Sequence, residues 1–483
     1  MKFLFKFPKL NRENLTVVTI VLTFFIAYST LGIVKHIHFM TGYDLSVANQ
    51  VVWEYSRFLP PINSLHAYAF TPIYWDHIEF IFILLAPFYW ILPDPRVLII
   101  LQAFVISVSA IPIYLLAKKY KINTYLLLAI LISYLTFFGI QNAMWSDVHS
   151  LVFATSFLAF FIYFLDVNKK WPAFLFFLLA LTSKEDIGLL TFLISFVYFI
   201  KTKNKINLLI MIIAAIYVLG IFFIFFPYFA QGYRFANEGG ILSNFTLLDF
   251  FNTKEKQEVI FYTLNSFGFL PVLNPLLLLP YLGDLGHYFI LGGRATSTQS
   301  IFLHYRVSSA LLLVWPTILI IGKFKKLNNK YLALYILFFA ALTTYMLHAP
   351  LTYLTKRWFW TEPSGVENIK KAISQLPKDA YIVTQANILP HTSTRKFIVT
   401  MWGDGRTFRE KSPCGKETCE WFKWAGEPKY MIIDTSPEWN ILHLLANRED
   451  FIKGLENMEK YGVIKKYKEF GSSTIYTVHK RPY

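Results

Sequence analysis

Residues 146–205 read SDVHSLVFATSFLAFFIYFLDVNKKWPAFLFFLLALTSKEDIGLLTFLISFVYFIKTKNK. Three apolar runs, Leu151–Leu165, Trp171–Leu181 and Leu189–Ile200, alternate here with polar turns of two kinds. Ser146-Asp147-Val148-His149 and Ser183-Lys184-Glu185-Asp186 carry acids and a histidine. Lys169-Lys170 and Lys201-Thr202-Lys203-Asn204-Lys205 carry lysines. Uncharged apolar runs of this kind suit the roughly 30 Å hydrocarbon layer of a bilayer, and lysine-rich turns mark its cytoplasmic side. The stretch therefore reads as helices crossing a membrane back and forth, with basic turns on one side and Asp, Glu and His on the other.

Composition extends that reading to the whole chain. Of 483 residues, 55% are hydrophobic and 16% charged, against about 45–50% and 25% in soluble domains. Aromatic residues make up 18%, which suits long membrane–water borders. Intrinsic disorder is excluded, and two cysteines cannot staple a chain of this length. The net charge of +16 belongs to cytoplasmic loops rather than to a nucleic-acid surface.

Further runs fit the same topology. Val17–Ile33 follows Lys2, Lys6, Lys9 and Arg12 and lacks a small-residue cleavage site, so it reads as a retained first span with a cytoplasmic N-terminus. Val97–Leu116 ends in Lys118-Lys119-Tyr120-Lys121, and Leu311–Ile321 in Lys323-Phe324-Lys325-Lys326. Tyr125–Ile140, Ile206–Phe226 and Tyr331–Leu347 supply the returning spans. Phe80–Leu92, broken by Pro87 and Pro93, reads as a partial helix, and Val259–Leu291, cut by Pro271, Pro275 and Pro280, as two short helices that dip in and return. The expectation is a mainly α, polytopic helical bundle of about 9–12 spans, short and re-entrant helices included. The membrane domain would cover 1–350, with a first outer loop at 39–93, and a small extracytoplasmic α/β domain would cover 351–483. Within the latter, Val366–Leu376 and Arg448–Tyr461 have helical spacing, and Tyr381–Thr384, Phe397–Met401, Tyr430–Asp434 and Ser473–His479 read as strands.

This topology sends ionisable residues to the outer face. They are Asp44 in Gly42-Tyr43-Asp44-Leu45, Asp76 and His77 in Trp75-Asp76-His77-Ile78-Glu79, Asp147 and His149, then Lys184, Glu185 and Asp186. A further segment carries Asp284, His287, His304, Tyr305 and Arg306. Charge near lipid is costly unless paired or wetted, which makes such groups functional candidates. The plainer reading is that loops touching water are polar. Three separate short turns supplying charge at one membrane depth favour the functional one.

Tyr43-Asp44-Leu45 with Asn49-Gln50 and Trp53, Asp76-His77, Asp147-x-His149, Lys184-Glu185-Asp186 and Leu389-Pro390-His391-Thr392-Ser393-Thr394-Arg395 resemble, in this order, the membrane family DUF2079. Asn49 stands where that family often has Asp, Ser150 where it often has Pro, and Ile78-Glu79-Phe80 replaces a more usual Phe-Ser-Pro. The family in turn resembles the GT-C membrane glycosyltransferases. That resemblance implies sugar transfer from a polyprenyl-phosphate donor to an unidentified acceptor at the outer face of the plasma membrane, with the bilayer and no nucleic acid as partner. Asp44 would be the base, with Asp147, His149, Lys184, Glu185 and Asp186 beside it in one cavity. Tyr43, Asp76, His77, His304, Tyr305 and Arg306 would bind substrate. The leaving phosphate needs positive charge from Lys184, Arg306 or a divalent cation held by Asp147 and His149; as two ligands alone, Asp-x-His reads as a helix cap or salt bridge ahead of a metal site. Cys414 and Cys419 are close enough in sequence for a disulfide or for two free thiols. His391 and Arg395 read as a structural loop ahead of a catalytic one. A non-catalytic scaffold and a lipid or solute transporter are the alternative functions; the latter would call for charges mid-span and an inverted repeat, which the sequence does not contain.

Overall fold

Helix dominates the computed structural model, which describes residues 11–65, 70–230, 247–291, 296–403, 421–441, 444–445 and 447–480. Cys414 and Cys419, and with them the question of a disulfide, lie outside the described residues. Among the described residues, five helices are long and apolar enough to cross a membrane: Arg12–Ile37, Pro95–Lys119, Thr124–Trp145, Lys205–Phe229 and His304–Lys323. Ser150–Asp166, Lys170–Leu181, Ile187–Thr202 and Lys330–Met346 are shorter apolar helices. Each grows from one of the apolar runs, because a segment without water along its sides must close its backbone hydrogen bonds internally. Ile81–Ile91 has 11 residues with Pro87 inside it, about 16 Å at 1.5 Å per residue, roughly half a bilayer. The proline-cut stretch forms two short helices, Lys254–Asn265 and Pro275–Gly286, around a 3-10 turn, Leu270–Leu273.

The chain divides into two compact units. The first takes residues 1–32, 74–81 and 99–356. Within it, polar contacts gather the basic turns at one end of the helices. Lys118 pairs with Glu13 at 2.8 Å and Lys119 with Asp166 at 2.6 Å. Asn123 donates to Asn328 at 2.8 Å, and Asn204 to Asn168 at 3.0 Å. The turns at the other ends of the same helices are those with Asp, Glu and His.

The second unit takes residues 33–73, 82–98 and 357–483. It thus includes stretches that a cut at residue 350 would leave with the membrane helices. Its five-stranded sheet runs in the order Ile398–Thr400, Ile382–Thr384, Tyr430–Asp434, Ser473–Val478, Ile464–Phe470. The first three strands are parallel, and the last two form an antiparallel hairpin on their edge. Strand alternation divides the core in two. Val383, Val399 and Met431 pack with Phe451, Leu455 and Met458 of helix Arg448–Lys460. Their neighbours Ile382, Ile398 and Ile432 pack with Val366, Ile369 and Ala372 of helix Val366–Ser374. Helix Tyr43–Ser56 is tied in by side chains: Asn49 donates to Ser393 Oγ at 2.7 Å and accepts from Tyr89 at 2.5 Å, and Gln50 donates to Ser64 Oγ at 2.6 Å.

In the first unit one glycine fixes how the site-bearing helices meet. A Cβ on Gly139 would lie 2.4 Å from the carbonyl oxygen of Arg306, a backbone atom that cannot rotate away. Helix Phe138–Trp145 therefore packs directly on the 304–306 turn. Gly139→Ala should cost about 1–3 kcal/mol, the usual range for overpacking. Thermal unfolding in detergent measures it, and an unchanged midpoint would mean that the close approach is not part of the native packing.

Candidate functional site

In the helical unit, the turns at the end opposite the lysines build a buried polar cluster from chain-distant pieces. Glu185 is fully buried between Lys170–Leu181 and Ile187–Thr202. One of its carboxylate oxygens meets His77 Nδ1 at 2.8 Å, and the other accepts the Ile78 backbone N–H at 3.0 Å. The Ile81 N–H donates to the Thr182 carbonyl at 2.8 Å, closing segment 77–81 against the same turn. Beside it, Ser150 donates to Glu79 at 2.5 Å.

Asp186 extends the cluster. Lys184 Nζ approaches its Oδ2 at 3.5 Å and His287 Nδ1 at 3.7 Å, while Oδ1 is buried without a hydrogen-bond partner among the described residues. Asp186, Asp284, His287 and Tyr288 line a cavity of about 10 Å³, room for one water. Asp284 accepts from Ser308 at 2.9 Å and Ser309 at 3.1 Å.

Arg306 is wholly buried. Its guanidinium lies over the Tyr288 ring at 4.5 Å and donates one bond, from Nη2 to the Thr298 carbonyl at 2.9 Å. Its Nε and Nη1 have no hydrogen-bond partner among the described residues. Leaving such donors unmade is costly, so this arginine is held ready for an acceptor. His304 stacks on His149 with ring centroids 3.5 Å apart and touches Tyr305 at 4.1 Å. It lies within electrostatic reach of Lys184, His77 and Arg306.

The Asp147–His149 turn is shaped from below by Gln102, a buried residue in the middle of helix Pro95–Val108. Its amide donates to the Asp147 carbonyl at 2.8 Å and accepts from the His149 N–H at 2.7 Å. These two bonds hold Asp147 at φ +79°, a conformation costly for a non-glycine residue. His149 Nε2 contacts the Ser146 carbonyl. Among the described residues no group of three or more His, Cys, Asp or Glu is disposed to hold a metal ion, so the pair gains no third ligand here.

Twelve of the sequence-derived candidates thus belong to one unit: Asp76, His77, Asp147, His149, Lys184, Glu185, Asp186, Asp284, His287, His304, Tyr305 and Arg306. Tyr43 and Asp44 belong to the other, at the start of helix Tyr43–Ser56, where Asp44 is exposed in the first turn. Also in that unit, His391 is stacked between His36 and Phe39 at 4.1 and 3.6 Å. Arg395 donates to the Thr392 and Ala380 carbonyls. Burial pushes the His391 imidazole well below its usual range, as suits a structural loop. Gln102, Tyr288, Ser308 and Ser309 were not singled out from sequence. The available signal was a polar residue inside or at the start of an otherwise apolar run.

Electrostatics single out the His77–Glu185 pair. Burial alone would lower the His77 pKa and raise that of Glu185. The opposite charge and the hydrogen bond to it together outweigh burial in both, so His77 is raised and Glu185 lowered. Burial keeps Glu79 above the usual carboxylate range.

The family model described as a predicted membrane protein (DUF2079) matches residues 35–430. No curated protein matches the chain.

The pair's stability contribution has a defined pH window. A raised His77 contributes fully below about pH 6.5, its unfolded value, and loses the contribution as pH rises through its folded pKa of about 9. A lowered Glu185 contributes above about pH 4.5 and loses it towards pH 2. The melting midpoint of the wild-type chain should therefore fall between pH 6.5 and 9 more steeply than that of His77→Gln, and equal slopes would refute the charged pair. His77 is only half-buried, so its loss costs less than the roughly 3–5 kcal/mol of a fully buried pair, but it leaves the buried Glu185 without its partner, and His77→Gln should also melt lower at pH 6.

Proposed function

Because the chain belongs to the DUF2079 family of predicted membrane proteins, we propose that it is an integral membrane glycosyltransferase that moves a sugar from a polyprenyl-phosphate donor to an acceptor hydroxyl. The observation that supports this reading most directly is Arg306, fully buried with two donor nitrogens unpartnered, in a cluster with Lys184, Asp186 and His287. Two guanidinium donors without an acceptor among the described residues suit the phosphate of a lipid-linked substrate. The ionisable groups gather at helix ends rather than midway along the apolar runs, which suits chemistry at a membrane surface more than a conduction path.

In the proposed reaction the bond between the sugar's anomeric carbon and the phosphate oxygen breaks through an oxocarbenium-like state. The acceptor oxygen bonds to that carbon, and its proton passes to a carboxylate base. Polyprenyl phosphate leaves with the electron pair of the broken bond, and its charge is met by Arg306 and Lys184. Glu185 is committed to His77 and the Ile78 N–H. Asp186, whose Oδ1 has no hydrogen-bond partner among the described residues, is the proposed base. A divalent cation is an alternative source of positive charge at the phosphate. By the same proposal the lysine-bearing helix ends face the cytoplasm and the His77–Glu185 end faces outward across the plasma membrane.

Incubating the purified full chain with a panel of polyprenyl-phosphate sugars tests this directly, and at least one member should lose its sugar to water or an added acceptor. Asp186→Asn should cut the rate by about 10²–10⁴, the usual range for a lost general base. Folded protein inert to the whole panel would overturn the reading, and near-normal turnover in Asp186→Asn would remove Asp186 from it. Orientation has its own test. A cysteine placed at Lys203 should be labelled only from the cytoplasmic side, and labelling only from outside would reverse the assignment.

A further inference from the structure

At the lysine end of the helical unit, away from the cluster above, a cavity of about 500 Å³ opens between the helix ends around residues 119, 166–170 and 201–207. Its walls carry Lys119, Lys169, Lys170 and Lys201 against a single acid, Asp166. That acid is already neutralised: Lys119 pairs with it at 2.6 Å, and Tyr120 and Tyr198 donate to it at 3.0 and 3.1 Å. Lys169, Lys170 and Lys201 have no ion pair among the described residues. Three cations thus face one space without an anion of their own.

Two other features narrow what that anion is. Phe164, Leu165, Ala173 and Ile206 give the cavity apolar wall beside its charged mouth, a pairing that suits a headgroup joined to acyl chains. Trp171, Tyr125 and Tyr331, at the starts of helices on this same end, are 84%, 74% and 71% exposed. Exposed aromatics at helix ends mark headgroup depth. At the inner end, Asn207 is buried with its Oδ1 unpartnered and lines the cavity, so it has an acceptor to offer a hydroxyl.

We propose that this cavity binds the headgroup of an anionic glycerophospholipid, its phosphate held by Lys169, Lys170 and Lys201 and a headgroup hydroxyl donated to Asn207. Phosphatidylglycerol has that chemistry, whereas phosphatidylcholine has the phosphate but cancels its charge and offers no hydroxyl. Basic pockets between membrane helices recognise lipids in this way, each lysine near the surface being worth about five-fold in affinity.

Native mass spectrometry of the delipidated full chain, titrated separately with phosphatidylglycerol, phosphatidylcholine and inorganic phosphate, tests the site. Phosphatidylglycerol should be retained in preference to phosphatidylcholine. The triple variant Lys169→Gln, Lys170→Gln, Lys201→Gln should bind it on the order of 100-fold more weakly. A triple variant in the C-terminal sheet unit, Lys453→Gln, Lys460→Gln, Lys465→Gln, should bind it unchanged. The three cavity lysines are exposed, so their removal leaves the helical core intact, and an unchanged melting midpoint confirms it. Equal retention of the two lipids, or full retention by the cavity variant, would overturn the site. Inorganic phosphate bound as tightly as phosphatidylglycerol would overturn the lipid as its occupant.

Discussion

A helix in hydrocarbon must satisfy its backbone within itself and can place charge cheaply only at its ends. Most of this molecule follows from that constraint. The apolar runs become helices with almost no choice of alternative, and polar residues collect in the turns that join them. Since each helix has two ends, the turns form two populations. Lys118, Lys119, Asn123, Asn168 and Asn204 meet their partners at one, and His77, Glu185, Asp186 and His287 at the other.

The second population does more than solvate turns. Glu185 is fully buried, Arg306 is fully buried, and the histidines 77, 149, 287 and 304 lie among them. Burial on this scale is costly, and the structure offsets it only partly, by the His77–Glu185 pair and by the serines on Asp284. What is left without an acceptor among the described residues is the Nε and Nη1 of Arg306. Supporting residues hold the geometry: Gln102 forces the left-handed Asp147 turn from below, and Gly139 lets helix Phe138–Trp145 press on the Arg306 backbone.

Much of this was legible in the sequence because apolar periodicity and lysine placement are strong signals. The helix at Ser150–Asp166, the partial one at Ile81–Ile91 and the strand at Tyr430–Asp434 all lie where the runs place them. Strand Ile464–Phe470 was not legible. It reads IKKYKEF and is exposed along most of its length, since an edge strand needs pairing on one side only and lysines there discourage further pairing. Membership of Asp76, His77, Asp147, Glu185 and Arg306 in one unit was legible from their turns; their individual partners were not. Gln102 on Asp147, or Ser308 on Asp284, depends on helix rotation, which one polar residue in an apolar run does not encode.

The central claim is that the positive charge around Arg306 and Lys184 receives the phosphate of a lipid-linked substrate. Cryo-electron microscopy of the full chain in a lipid nanodisc with a polyprenyl phosphate addresses it most directly. The account predicts phosphate density within hydrogen-bond distance of Arg306 Nε or Nη1, lost in Arg306→Gln. Density for the phosphate elsewhere, with Arg306 Nε and Nη1 still without an acceptor, would contradict it.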